Sequence, residues 1–221
     1  MTRLLDLKLF AASVIFSTFF TTALYAEDKV WHFDDATADK LPSGWQIDAT
    51  NSNGALASWR RLKDKSAPSS SYVLTLTNIN HNNRATFNLC YRDEPSFLDG
   101  EIEVKFKANS GVIDQGGGVM WRVQDSDNYY IARFNPLEDN FRLYYVKEGR
   151  RVLIEDATVT LRSGRWHTMK IVQKGDRYTG YLNGKKYLNG RDGTFTKYGG
   201  VGLWTKADAV TSFDDFLVRA K

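Results

Sequence analysis

Short strand-like runs dominate the chain, and helical periodicity is nearly absent after residue 26. The runs are bounded by Gly, Asn, Asp and Pro and recur about every 8 to 15 residues, which is the pattern of an antiparallel sandwich or jelly roll. Glu148-Gly149 and Asn183-Gly184 have the composition of hairpin turns, and the second suits a type I′ turn. The predicted strands are ASWRRLK, YVLTLT, RATFNLCYR, GEIEVKFKA, GGVMWRVQ, NYYIARFN, FRLYYVK, RVLIED, HTMKIVQK, RYTGYLNG, GGVGLWTK and SFDDFLVRA.

The first 26 residues have the pattern of a secretory signal peptide: a basic start, an apolar run and small residues at the end. We therefore predict that Glu27 begins the mature chain and that residues 27–221 form a single jelly-roll domain, located in the periplasm or secreted. An uncleaved membrane anchor is the alternative, because the run from Leu9 to Ala26 is close to the shortest one that can span a bilayer. Cys90 is the only cysteine, which excludes an internal disulfide and fits a bacterial periplasm better than a disulfide-dense module.

The charge of the chain is nearly balanced. Removing residues 1–26 lowers the formal charge from +4 to about +3, and basic residues alternate with acidic ones. This pattern argues against nucleic acid as a partner. Aromatic residues make up 14% of the chain, and aromatic rings serve both sandwich cores and ligand platforms.

The segment from 116 to 146 places one arginine in each of three consecutive predicted strands: Arg122, Arg133 and Arg142. If residues 125–128 form a four-residue turn, Trp121 faces Ala132, and a loop at 135–140 makes Arg133 face Arg142. The predicted core face holds Val119, Trp121, Val123, Tyr130, Ala132, Phe134, Phe141, Leu143 and Tyr145. The opposite face then holds Met120, Arg122, Tyr129, Ile131, Arg133, Arg142 and Tyr144.

Two interpretations of the arginine-bearing face stay open. Like charges across a ladder repel, so carboxylates of the chain could neutralise the arginines. Glu138, Asp139 and Glu155 are the expected partners, with Glu155 opposite Arg142. Alternatively, the guanidinium groups and tyrosine rings form a platform for a polar, ring-shaped or carboxylated ligand.

The runs GEIEVKFKA, QGGGVMWRVQDSDNYYIARFNPLEDNFRLYYV, GRWHTMKI, YLNGKK and GGVGLWTKADAVTSFDDFLV resemble the concanavalin A-like lectin/glucanase superfamily. Within it, the chain is most similar to secreted bacterial laminin-G-like domains and 3-keto-disaccharide hydrolase domains. The resemblance implies two stacked, curved sheets with the ligand on the concave face. It also implies that Trp204 and Lys206 lie on a strand next to the arginines, with Trp59 nearby.

The catalytic signature of family 16 glycoside hydrolases, E-x-D-x-x-E on one strand, is missing. The nearest segment places Glu101 and Glu103 on one face but follows them with Lys105 and Lys107. That alternation is typical of a solvated outer face, and a retaining pair needs two carboxylates about 5 Å apart. The looser resemblance to 3-keto-disaccharide hydrolases implies acid or base residues at the rim of the site, but assigns no residue to either role.

No metal or cofactor is strongly indicated. His32, His81 and His167 are far apart in sequence and form no paired metal-binding motif. Asp34, Asp35, Asp214 and Asp215 lie near the two chain ends, where a structural calcium ion is a weaker hypothesis.

We predict a carbohydrate-binding jelly roll with a polar saccharide or other small polar ligand as partner, no nucleic acid, and no membrane span after signal cleavage. A glycoside-processing enzyme of the 3-keto-disaccharide hydrolase type and an envelope protein-interaction module are the alternatives. The candidate ligand-binding residues are Trp59, Arg122, Tyr129, Arg133, Asn135, Arg142, Tyr144, Trp204 and Lys206.

Overall fold

The computed structural model describes residues 28–34, 40–69, 71–78 and 84–221. The predicted signal peptide, Asp35 and His81 lie outside these residues, so the hypotheses that involve them stay predictions. None of the described residues belongs to a helix long and apolar enough to cross a membrane.

The described chain is an antiparallel sandwich of two sheets, which confirms the predicted fold class. One sheet has eight strands in the order β13-β12-β11-β6-β15-β4-β3, with β1 also paired to β15. The other has seven strands in the order β10-β9-β8-β7-β14-β5-β2. The strands are β1 Lys29–Trp31, β2 Gln46–Thr50, β3 Ser58–Lys63, β4 Tyr72–Asn78, β5 Phe87–Phe97, β6 Gly100–Ser110, β7 Gly117–Asp125, β8 Asn128–Asn135, β9 Asn140–Lys147, β10 Arg150–Thr158, β11 His167–Lys174, β12 Arg177–Leu182, β13 Lys185–Arg191, β14 Gly199–Lys206 and β15 Val210–Ala220.

The main core lies between the two sheets and receives side chains from both. On β6, buried and half-buried residues alternate strictly, as expected when one face of a strand packs on a core. The seven-stranded sheet contributes Val119, Trp121, Tyr130, Ala132, Phe134, Phe141 and Leu143, all predicted for this face, and Tyr145 packs against them.

Both predicted hairpin turns are present. Asn183 and Gly184 join β12 to β13 with φ of 48° and 77°, and Glu148 and Gly149 join β9 to β10 with φ of 51° and 73°. Positive φ at both central residues is what a type I′ turn requires, and its twist matches the flanking strands.

The predicted pairing of β8 with β9 is confirmed: Arg133 faces Arg142 and Phe134 faces Phe141. The predicted pairing of β7 with β8 is wrong. Trp121 faces Tyr130 instead of Ala132, because Asp125 pairs with Asn128 and the register shifts between Trp121 and Asp125. A tighter turn and a bulge replace the expected four-residue turn.

Arg122 sits in this bulge with φ of 48°, and this changes the direction of its side chain. The guanidinium group donates to the carbonyl oxygens of Leu98, Phe195 and Gly175 at 2.9, 2.5 and 2.7 Å, and lies 3.3 Å from Asp99 Oδ1. Its predicted place beside Arg133 and Arg142 is therefore wrong. Val123 was predicted for the core face, but beyond the bulge it belongs to the apolar cluster on the outer face.

Candidate functional site

A second apolar cluster covers the outer face of the seven-stranded sheet. We call it the outer cluster; all its members come from that sheet, on the side opposite the main core. The members of this cluster are only 0 to 8% exposed, so it is a second buried core on the side away from the first and departs from the polar outer face expected of an antiparallel sheet. The outer cluster consists of Phe87, Leu89, Tyr91, Met120, Val123, Tyr129, Ile131, Tyr144, Val146 and Trp204.

Three of the predicted ligand-binding residues, Tyr129, Tyr144 and Trp204, belong to the outer cluster. The Tyr129 hydroxyl lies 2.6 Å from Thr50 Oγ1 and accepts a longer hydrogen bond, 3.4 Å, from Trp204 Nε1. Burial raises the pKa of Tyr129 well above its ordinary value, so the hydroxyl stays protonated. The Trp204 ring contacts Phe87 with ring centroids 5.2 Å apart. These contacts fix the orientation of the rings.

Arg133 lies at one end of the outer cluster and is 1% exposed. It donates to Asn140 Oδ1 and Glu138 Oε2, both at 2.9 Å, and to the Tyr144 hydroxyl at 3.3 Å. Its Nε is buried without a hydrogen-bond partner. The guanidinium is therefore held in one orientation, with its buried Nε unpaired.

Arg142 shares Glu138 with Arg133 and is otherwise bound to Asp156. Its Nη2 donates to Asp156 Oδ2 at 3.1 Å, and its Nε lies 2.9 Å from Asp156 Oδ1 in an ion pair without the angles of a directed hydrogen bond. The hydrogen bond to Asp156 raises the pKa of Arg142. The prediction that Glu155 is the partner of Arg142 is wrong. The register of β10 shifts between Leu153 and Glu155, and this places Asp156 opposite Arg142.

Of the three carboxylates predicted to neutralise the arginines, only Glu138 pairs with them. Asp139 forms no ion pair with any described residue, and Glu155 accepts a hydrogen bond from the Asn189 backbone amide instead. Arg133 and Arg142 are thus neutralised within the protein, by Glu138 and Asp156.

Asp114 lies at the same end of the outer cluster as Arg133, which we call the polar end, and it was not predicted. It is 2% exposed; its Oδ1 accepts from Asn135 Nδ2 at 3.0 Å and its Oδ2 lies 3.1 Å from Lys206 Nζ. The second contact is an ion pair without the angles of a directed hydrogen bond. Burial raises the pKa of Asp114, although the charges of Arg133 and Lys206 oppose that rise. Two predicted residues, Asn135 and Lys206, therefore meet at an unforeseen carboxylate.

The loop that carries Asp114 is held by Asp208. The Asp208 carboxylate accepts hydrogen bonds from the backbone amides of Val112, Ile113 and Asp114 at 2.7 to 3.0 Å. Burial alone would raise the pKa of Asp208, but these amide bonds lower it. Asp208 is thus a positioning residue for Asp114.

Arg151 is the second residue that sequence reasoning missed. Its Cζ lies 4.4, 5.1 and 5.8 Å from the ring centroids of Tyr144, Phe87 and Trp204. The signal was present in the predicted hairpin turn at Glu148-Gly149: it pairs Lys147 with Arg150 and so places Arg151 opposite Val146 on the outer face.

Trp59 lies elsewhere, contrary to the prediction. It is 4% exposed on β3 of the other sheet, where it stacks on Phe213 in the main core. Its indole therefore lies away from Arg133 and Trp204. Glu101 and Glu103 alternate with buried residues on β6, and Glu101 pairs with Arg219, which matches the expected solvated outer face.

Near the chain ends, His32, Asp214 and Asp215 offer ligand atoms within 4.8 Å of one another. The contacts of this cluster are already hydrogen bonds and ion pairs: His32 Nδ1 lies 2.6 Å from Asp215 Oδ1, and Lys105 Nζ lies 3.2 Å from Asp215 Oδ2. Asp214, fully buried, accepts from the Ser69 hydroxyl. The structural calcium ion stays a prediction, because Asp35 lies outside the described residues.

We expect the stability of the protein to depend on Glu138 in acid. Burial would raise its pKa, but hydrogen bonds from Asn140 and Arg133 and the charges of Arg133 and Arg142 lower it to about 2. A carboxylate with a lowered pKa stabilises the fold above its unfolded pKa, and this contribution is lost as the pH falls to about 2. Because its side chain is 43% exposed, we expect only about 1 kcal/mol from it.

Urea unfolding of wild type and Glu138→Gln at pH 7 and at pH 2.5 measures this contribution. The variant is expected to be less stable at pH 7, with a smaller difference in acid. Glu148→Gln, at an exposed turn, is the matched control. An equal loss for Glu138→Gln at both pH values would contradict the assignment.

Comparison with known proteins now adds to this geometry. The sequence matches the family model of the 3-keto-alpha-glucoside-1,2-lyase-like domain over residues 33–219, which is nearly all of the described chain. No curated protein matches the sequence.

Solved structures show the same fold at low sequence identity. The carbohydrate-binding module CBM66 from Bacillus subtilis has a TM-score of 0.61 at 18% identity, covering 78% of this chain and 93% of its own. The β-glucanase of Bacillus licheniformis has a TM-score of 0.58 at 11% identity, covering 89% and 99%. A Bacillus subtilis protein of unknown function with a galectin-like fold has a TM-score of 0.55 at 14% identity, covering 79% and 88%. These likenesses support the jelly-roll fold expected from the sequence.

Proposed function

The chain belongs to the family of 3-keto-alpha-glucoside-1,2-lyase-like domains, and on that basis we propose that it binds a saccharide at the outer face of the seven-stranded sheet. The site consists of the outer cluster and the polar end next to it. Membership of this family bears on the type of chemistry, which involves glycosides. The position of the ligand is argued from the side chains that lie together on this face.

One observation carries the proposal: oriented aromatic rings adjoin a dense set of polar side chains. Saccharides have C–H faces that pack on rings and hydroxyl groups that pair with planar donors and carboxylates. Tyr144, 5% exposed, supplies a ring that adjoins Arg133, and Trp204 is fully buried. Lys206, whose side chain is 18% exposed, supplies an accessible charge at the same end of the sheet as the buried Arg133 and Asp114.

Binding is expected to depend on Lys206. A glycan array of the purified protein identifies a ligand, and titration calorimetry then compares wild type with Lys206→Gln. We expect the variant to bind about tenfold more weakly, because a charge-assisted hydrogen bond is lost. Lys147→Gln, an exposed lysine at the end of β9, is the control and should bind as wild type does. Unchanged affinity of Lys206→Gln would place the ligand elsewhere.

Export to the periplasm or the outside of the cell is part of the same proposal. It is supported by the signal-peptide pattern of residues 1–26. Mass spectrometry of the protein from the native cell tests it: an N-terminus at Glu27 in the periplasmic or culture fraction is expected, and an intact Met1 in the cytoplasmic fraction would contradict it.

A second candidate function is cleavage of a 3-keto-glucoside, and Asp114 is the observation that favours it. A ketone at C3 acidifies the hydrogen on C2, so a base can remove that proton and leave an enolate. The C1–O bond then breaks, a C1=C2 double bond forms, and the leaving oxygen takes up a proton. Asp114, whose pKa is raised by burial, would be the base, and the cations beside it would stabilise the enolate oxygen.

Incubation with a 3-keto-α-glucoside followed by mass spectrometry tests the second function. Elimination yields the free alcohol and an unsaturated keto sugar that is lighter by one water than the product of hydrolysis. Binding of the substrate without either product would contradict the lyase and leave the binding function in place.

A further inference from the structure

Arg151 is a cation without a carboxylate in a site where the other cations have one. Among described residues, Arg133 pairs with Glu138, Arg142 with Glu138 and Asp156, and Lys206 with Asp114. Arg151 forms no ion pair or hydrogen bond with any described residue, and its Nη1 is buried without a partner. Four cations therefore face three carboxylates at the outer face.

The way Arg151 is held makes its hydrogen-bond donors available. The guanidinium rests against the rings of Tyr144, Phe87 and Trp204, with Cζ 4.4 to 5.8 Å from their centroids. These cation–π contacts are not conventional hydrogen bonds, and Arg151 donates to no acceptor among the described residues. The rings thus orient the group without using its donors.

The nearby carboxylates are already bound. Asp114 and Glu138 act on Arg151 through space, but Asp114 is held by Asn135 and Lys206, and Glu138 by Arg133 and Arg142. Burial lowers the pKa of Arg151, which shows that the cation is incompletely compensated where it stands. Burying an unpaired guanidinium is unfavourable unless an anion pairs with it.

The geometry points to a carboxylate on the ligand: we propose that the outer face prefers acidic saccharides, with the carboxylate of a uronic acid paired to Arg151. A planar carboxylate matches the fork of guanidinium donors, and a neutral sugar hydroxyl matches it less well. This inference rests on the proposed saccharide-binding function and names the chemical class of its ligand. Arg151 is then a specificity-determining residue.

Two matched disaccharides test the preference. One ends in glucuronate, the other in glucose, and they differ only at C6. Titration calorimetry on the intact protein at pH 7 is expected to show binding of the glucuronate form about tenfold tighter. The preference should shrink at high ionic strength, because the pair is partly exposed.

Variants assign the preference to the residue. Arg151→Gln should bind both disaccharides equally, because the cation that distinguishes them is gone. Arg151→Lys should retain part of the preference, since it keeps the charge but not the planar fork. Arg150→Gln, the exposed neighbour on the same strand, is the matched control and should retain all of it.

The melting temperature of Arg151→Gln separates this role from a structural one. Because the unpaired cation destabilises the fold, the variant should melt at the same temperature as wild type or higher. Equal binding of the two disaccharides by wild type, or a preference that survives in Arg151→Gln, would overturn the inference while leaving saccharide binding intact. If the folded wild type binds neither these disaccharides nor any array glycan, both proposals fail.

Discussion

Replacing Arg122 with alanine is expected to lower the free energy of unfolding by about 3–5 kcal/mol, the usual loss when one partner of a buried charged network is removed. Arg122 is 2% exposed and donates to three backbone carbonyls besides its contact with Asp99. Leu98 and Asp99 lie in the β5–β6 connection, and Gly175 lies in the turn between β11 and β12. The side chain therefore ties the seven-stranded sheet to turns of the eight-stranded sheet. Alanine removes the donor to the Leu98 and Phe195 carbonyls, while the Gly175 carbonyl keeps its hydrogen bond from Gln173 Nε2.

Urea unfolding followed by tryptophan fluorescence measures the loss, with an unchanged slope as evidence that the folded and unfolded states keep their exposed surface. Arg165→Ala, at an exposed position, should change stability by less than about 0.5 kcal/mol. Arg122→Lys should recover only part of the loss, because one ammonium cannot reach acceptors arranged around a planar group. A loss below about 1 kcal/mol in Arg122→Ala would mean that water replaces the guanidinium at these carbonyls.

The architecture could be predicted from the sequence because its cues are local. Alternating apolar residues fix which face of β8 and β9 enters the core, and the Asn-Gly and Glu-Gly pairs fix the registers of two hairpins. The pairing of Arg133 with Arg142 follows from those rules alone. For β8 and β9, the neighbour in sequence was sufficient to place the strand correctly.

The errors come from two bulges, whose extra residue reverses the direction of every side chain beyond it. One bulge takes Arg122 out of the outer face and sends Val123 into it. The other replaces Glu155 with Asp156 as the partner of Arg142. Neither bulged stretch contains a glycine or proline that would mark it. Such irregularities depend on the packing of the whole sheet, so periodicity does not report them.

Non-local contacts explain what was missing from the site. Asp114 lies in the connection between β6 and β7, and it reaches Lys206 only because Asp208 holds its loop through three backbone amides. Trp59 shows the converse: its composition suits a ligand platform, yet β3 lies in the other sheet and buries the ring on Phe213. Composition identifies residues able to bind a sugar, and topology decides which of them share a surface.

If the protein cleaves 3-keto-glucosides, Asp114→Asn is expected to reduce the turnover rate by about 10²–10⁴-fold, the usual contribution of a general base. The amide still accepts a hydrogen bond from Asn135, so the loop held by Asp208 should keep its position. It no longer takes up a proton, so deprotonation at C2 is the step that fails. Saccharide affinity should change far less than turnover, because the neighbouring donors are retained.

The pH dependence distinguishes a base from a residue that only binds. Since burial raises the pKa of Asp114, turnover by wild type should fall as the pH drops through a value above that of an ordinary aspartate. Asp156→Asn, a carboxylate of the same face that is bound to Arg142, is the matched control and should leave this profile unchanged. Asp208→Asn should lower turnover, because it releases the loop that positions Asp114. An Asp114→Asn variant that keeps wild-type turnover and the wild-type pH profile would move the search for the base to another residue of the outer face.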